Sequence, residues 1–96
     1  MRSGWLYMMS DRYRGAIYTG VTSSIRHRAW QHRTGKGGDF TRQYGLTRLV
    51  YAEPYDLIED AIAREKAVKK WRRAWKIELI ERANPDWIDL FDTLNM

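Results

Sequence analysis

The sequence predicts a small α+β domain, with a three-stranded sheet covered by helices. Three observations carry that expectation. Two short apolar runs, Trp5–Met9 and Ala16–Val21, flank a polar segment that ends in glycine, as in a hairpin. A third run rich in β-formers spans Leu46–Glu53. The remaining stretches, from Thr22 to Arg33 and from about Leu57 onward, carry residues at helical spacing.

Trp5-Leu6-Tyr7-Met8-Met9 reads as a buried strand. The short link Ser10–Gly15 makes the return strand Ala16–Val21 antiparallel to it. Thr22-Ser23-Ser24 offers N-cap residues for a helix running to about Arg33 and stopped by Thr34-Gly35. Arg28 and His32 are four apart on that helix and share a face. Gly35-Lys36-Gly37-Gly38-Asp39 holds three glycines in five residues and reads as a mobile loop, with Phe40 and Tyr44 anchoring the segment on its C-terminal side. Leu46–Glu53 is the third strand, closed by Pro54, and its direction does not follow from the pattern. Asp56 with Glu59 three residues on resembles a capping box. The helix after it has an apolar stripe at Ile58, Ala61, Ile62 and Val68. Trp71, Trp75 and Leu79 continue at four-residue steps past a bend near Arg73-Ala74. Asn84-Pro85 reads as the cap and first residue of a last short helix.

Ninety-six residues fit one domain, 1–96, and no repeat or linker divides them. A hydrophobic content of 44%, with 14% aromatic, suffices for a compact core. Seventeen basic residues against 12 acidic give a net charge of +5, and the pI is about 9.7. A small basic domain attracts polyanions. The absence of cysteine excludes disulfides, a thiolate zinc site and a cysteine nucleophile. With only His27 and His32, a histidine-rich metal site is excluded too, so any metal is a hard cation on oxygen ligands. No apolar run approaches the ~18 residues of a membrane span. The first residues carry no signal-peptide pattern, so the expected location is the cytoplasm.

Four groups of residues are candidates for chemistry. Glu65 falls on the apolar stripe, four after Ala61 and three before Val68. A carboxylate there needs a compensating partner: an arginine such as Arg28, or a metal. Tyr7 and Tyr18 belong to adjacent strands and either pack as a cross-strand pair or present two phenols together. Arg28 suits a phosphate, and His32 suits a proton, although Arg26, His27 and Arg33 also make this a basic, solvated face. Finally, residues 64–76 hold seven basic side chains and one acid, with Trp71 and Trp75 expected in the core and some of the cations on phosphate.

Together these residues resemble the GIY-YIG nuclease superfamily, and in particular its small stand-alone bacterial branch. Trp5-Leu6-Tyr7 stands where that family has its first triplet and Tyr18-Thr19-Gly20 where it has its second, with ten residues between Tyr7 and Tyr18. Arg28 and His32 follow at the family's spacing, then Ala63-Arg64-Glu65, Lys69-Lys70-Trp71, Arg73-Ala74-Trp75-Lys76 and Asn84-Pro85-Asp86-Trp87. Of the two triplets only Tyr7, Tyr18 and Gly20 match literally, and Asn84 lies nineteen residues after Glu65, somewhat far for the family's late asparagine. The resemblance implies a three-stranded antiparallel sheet flanked by helices and metal-dependent hydrolysis of DNA phosphodiesters with low sequence specificity, in repair or recombination. Glu65 would hold Mg²⁺ or Mn²⁺, Arg28 would steady the phosphate, Tyr7 and Tyr18 would orient and deprotonate water, His32 would assist, and Asn84 would be either a further site residue or only a helix cap. Arg64, Lys69, Lys70, Arg72, Arg73 and Lys76 would contact nucleic acid. The alternative is a non-catalytic nucleic-acid-binding module that uses helix 64–76. RNA in place of DNA, the base among the two tyrosines and the oligomeric state stay open at this level.

Overall fold

The computed structural model describes residues 2–36 and 38–95, without the side chains of Asp39, Phe40 and Asn95. Its strands are β1 (Gly4–Ser10), β2 (Ile17–Thr22) and β3 (Arg48–Tyr55). Its helices are α1 (Ile25–Arg33), α2 (Asp39–Gln43), α3 (Ile58–Lys69) and α4 (Arg73–Ala83), followed by a terminal 3-10 helix over Phe91–Asn95. The sheet order is β2-β1-β3 and both pairings are antiparallel, which fixes the direction of the third strand.

The alternation of β1 explains the layers. Tyr7 and Met9 point to one face, where they join Ile25 and Ala29 of α1, with Leu46 and Leu49. Leu6 and Met8 point to the other, where they meet Val50, Tyr51, Val68 of α3, Ile80 of α4 and Trp87. Both faces are therefore covered, and β1 is buried almost throughout. A bulge between Met8 and Met9 changes the register with β3, from Met8 opposite Tyr51 to Met9 opposite Leu49. Val50 is the extra residue, and it turns to the same face as Tyr51.

Several local expectations change. Pro54 lies within β3 rather than ending it, which an edge strand tolerates because its N–H side need not pair. Residues 39–43 form a helical turn where the glycine-rich segment suggested only loop. Tyr44 is exposed, so it does not anchor that segment by burial; the side chain of Phe40 and Gly37 itself lie outside the described residues. Ser24 is the N-cap residue of α1, but the bonding hydroxyl belongs to Thr22, which accepts the Ser24 N–H at 3.1 Å. The capping box does not form at α3. Leu57 is its N-cap, and the Ile58 N–H donates to the Arg2 carbonyl at 2.8 Å. The helical run is interrupted at Lys70–Arg72, between α3 and α4, slightly before the expected bend. Asn84-Pro85 ends α4 and opens a turn instead of starting a helix.

Candidate active site

Tyr7 and Tyr18 do meet, though not as directly opposed residues. The register places Tyr7 opposite Gly20 and Tyr18 opposite Met9, so the two rings are diagonal neighbours with centroids 6.2 Å apart. The glycine is what allows this. A Cβ at position 20 would lie 2.7 Å from the Tyr7 hydroxyl oxygen and 3.0 Å from the Tyr18 ring. Tyr7 therefore lays its hydroxyl over a bare stretch of β2 backbone, beside the half-buried Tyr18.

His32 comes to the same point from α1, one turn after Arg28. Its ring centroid is 5.6 Å from that of Tyr7 and 5.8 Å from that of Tyr18. Nε2 is 3.1 Å from the Tyr7 hydroxyl, and Nδ1 is 3.1 Å from Oγ1 of Thr41. Burial, with the Arg28 guanidinium adding to it, pulls the His32 pKa down to about 4, so the ring is neutral at neutral pH. The Tyr7 phenol is held well above its ordinary range, first by burial and then by Tyr18. Arg28 acts in the opposite direction, and Glu65 adds a small upward push. Both charges are thus within electrostatic reach of the Tyr7 oxygen.

Glu65 lies on the sheet-facing side of α3 with Ala61 and Val68, which are both fully buried. Its side chain is only 19% exposed. The sequence allowed an ion pair with Arg28; instead the carboxylate pairs with Lys69 at 3.4 Å, one turn on. Ile62, counted with the apolar stripe, is partly exposed, at 38%. Among the described residues, no group of three or more His, Cys, Asp or Glu side chains is gathered to hold a metal. A single carboxylate still suits Mg²⁺ or Mn²⁺, because such ions commonly take one or two protein oxygens and fill the rest with water and phosphate.

Asn84 bonds the backbone of β3 and of the segment after α4. Its side chain is buried, and its amide donates to the carbonyls of Val50 at 3.0 Å and Ile88 at 2.9 Å. Its oxygen accepts the Ile88 N–H at 3.1 Å. Both ends are thereby committed to backbone.

The basic residues divide by role. Arg73 donates to the carbonyls of Arg14 and Gly15, tying α4 to the β1–β2 hairpin. Arg64 bonds Glu53 at 3.1 Å and lies 5.0 Å from the Trp71 ring centre. Glu53 also accepts from Tyr51 and Tyr55, and these donors hold its carboxyl below the usual range against the effect of burial. Lys70 and Arg72 are exposed, while Lys69 and Lys76 line a shallow depression beside Ile17, Tyr18 and Thr19. Trp71 packs against the core as expected. Trp75 does not: it is 50% exposed, under the guanidinium of Arg72.

Thr41 is the residue that sequence reasoning does not find. It lies just past the glycine-rich segment, its partner His32 is nine residues back, and a lone threonine there carries no distinguishing pattern.

With this geometry in view, comparison with known proteins identifies the class. The GIY-YIG catalytic domain model matches residues 3–78. The chain belongs to the GIY-YIG family. A UPF0213 protein of Syntrophus aciditrophicus is 34% identical over 89 residues, covering 90% of this chain and 98% of the relative. A UPF0213 protein of Oceanobacillus iheyensis is 35% identical over 66 residues, covering 69% of this chain and 77% of the relative. The solution NMR structure of a UPF0213 protein from Bacillus halodurans superposes with a TM-score of 0.54 at 30% identity, over 85% of this chain and 86% of that one. The relatives are small bacterial proteins, as the motif order implied.

Proposed function

We propose that this protein hydrolyses DNA phosphodiester bonds at the site formed by Tyr7, Tyr18, Arg28, His32 and Glu65, within a single domain, in the cytoplasm. The observation that carries the reading is the buried 3.1 Å contact between the Tyr7 hydroxyl and a neutral His32, next to a second phenol. A phenol with a raised pKa is a poor base alone. It becomes an effective one when it can release its own proton as it accepts another. Water gives a proton to the Tyr7 oxygen while the Tyr7 hydroxyl proton passes to Nε2 of His32. The water oxygen then bonds to phosphorus, the bond from phosphorus to the leaving sugar oxygen breaks, that oxygen takes a proton from solvent, and the His32 imidazolium, which burial disfavours, gives its extra proton back to solvent. Tyr18 orients the water, and Arg28 meets the charge that gathers on the phosphate oxygens.

Glu65 is the residue that would hold Mg²⁺ or Mn²⁺, and the ion when bound offsets charge on the scissile phosphate and leaving oxygen. Lys69, Lys70, Arg72 and Lys76 supply backbone contacts that read charge and not sequence. Arg64 and Arg73 contribute mainly by holding their neighbours, and Asn84 by holding the turn after α4. No helix among the described residues is long and apolar enough to cross a membrane.

The test is incubation with labelled single-stranded, duplex, nicked and branched DNA, and with RNA, in Mg²⁺, Mn²⁺ or EDTA. Metal-dependent cutting of DNA is the expected result. Salt-sensitive binding with no cutting of any substrate would instead support a non-catalytic module that grips nucleic acid through residues 64–76.

A further inference from the structure

We propose that Thr41 is a positioning residue: its hydroxyl fixes His32 as the tautomer with the proton on Nδ1, leaving Nε2 to accept from Tyr7. Thr41 sits in the turn α2 and is 3% exposed, so its hydroxyl finds its partners within the protein. Its oxygen is 3.2 Å from the carbonyl of Gly38, three residues back. A helical threonine habitually donates its one proton to such a carbonyl. The same oxygen, 3.1 Å from Nδ1, is then left as an acceptor, and Nδ1 must bring the proton. A neutral imidazole carries one N–H, so Nε2 is bare and faces the Tyr7 hydroxyl at 3.1 Å. These three hydrogen bonds then run in one direction, from Tyr7 through His32 and Thr41 to the backbone at Gly38.

The opposite direction is chemically possible and has the opposite consequence. There Thr41 would donate to Nδ1, and Nε2–H would point at the Tyr7 oxygen. Tyr7 could not then pass its proton to His32. The direction is decided by where the threonine proton goes, and that depends on the backbone turn at Gly38, which has a positive φ of 134° that glycine adopts readily. The glycine-rich segment thus acts at a distance from the reacting oxygen, by presenting a carbonyl to Thr41.

The catalytic consequence rests on the hydrolytic role proposed for this site, whereas the tautomer does not. The measurement is proton–nitrogen correlation NMR of the imidazoles at neutral pH. The chain has two histidines, and His27 is exposed, so a His27→Gln background leaves His32 as the single ring observed. In that background His32 is expected to carry its proton on Nδ1. Thr41→Val should shift population to the Nε2–H form, and Thr41→Ser should restore the original. Cleavage should follow the same order, with kcat falling about tenfold in Thr41→Val at unchanged KM and recovering in Thr41→Ser. An Nε2–H tautomer in the parent, or one insensitive to Thr41→Val, overturns the proposal. If Thr41→Val does not fold, the parent and Thr41→Ser spectra still decide the direction. An Nδ1–H ring in a protein that cuts no nucleic acid would support the positioning role and count against the hydrolytic role alone.

Discussion

Gly20 determines where the Tyr7 hydroxyl lies. Alanine there would put a methyl group 2.7 Å from the Tyr7 hydroxyl oxygen, forcing the ring aside. Displacement of a reacting atom by about 1 Å commonly costs on the order of 100-fold in rate. Gly20→Ala should therefore cut single-turnover cleavage by about that factor, while urea unfolding reports a stability loss of only about 1–3 kcal/mol. Full cleavage by a folded Gly20→Ala protein would contradict this placement of Tyr7. His32 yields a prediction about pH. Its folded pKa of about 4 lies below the ordinary 6.5, so the native state binds fewer protons than the unfolded chain between those values. The associated stability is fully present above pH 6.5 and is lost as pH falls toward 4, a change on the order of 3 kcal/mol. Urea titrations at pH 7 and pH 4 should show wild type losing about that much more than His32→Asn. Equal losses would mean that His32 is not held neutral. At this scale the residue types were legible in the sequence, because Tyr7, Tyr18, Arg28, His32 and Glu65 occur in a recognisable order. Their partners were less so: Lys69 stands at a readable four-residue spacing from Glu65, but Thr41 is selected by tertiary contact.

At the scale of elements, the strands and the longer helices followed from alternation and periodicity, but their ends did not. The N-terminus of α3 is satisfied by the Arg2 carbonyl, a contact made by folding the chain back on itself and invisible to local capping rules. Asn84-Pro85 suits the start of a helix and a turn after one equally well. Burial of Trp87 at a positive φ of 55° belongs to the second arrangement. In it the Asn84 amide caps the carbonyl of Val50, the bulge residue of β3, while Asp89 and Leu90 bond the backbone of Leu49. The C-terminal segment thus covers the edge of β3 where the bulge interrupts it. Asn84→Ala should lower unfolding stability by about 3 kcal/mol, because buried backbone groups lose their partner. Cleavage measured well below its melting temperature should stay near wild type. A stable but inactive Asn84→Ala protein would return this residue to the reacting centre.

At the scale of the whole molecule, a net charge of +5 supplies attraction for nucleic acid, and the fold decides which cations are available for it. Arg73 is engaged with the hairpin carbonyls and Arg64 with Glu53, whereas Lys70 and Arg72 are exposed and Lys76 lies near Tyr18. The composition revealed the charge but not this division of labour. If about four cations meet phosphates, binding to single-stranded DNA should fall with salt at a log–log slope near −3. Lys70→Ala with Lys76→Ala should flatten that slope, as titrations over a range of salt would show. The most direct test of the central claim is single-turnover cleavage of labelled DNA in Mg²⁺ by wild type, Tyr7→Phe and Glu65→Ala, each verified as folded by thermal melt. The account predicts cutting by wild type alone, abolished by EDTA. Undiminished cutting by folded Tyr7→Phe or Glu65→Ala would contradict it.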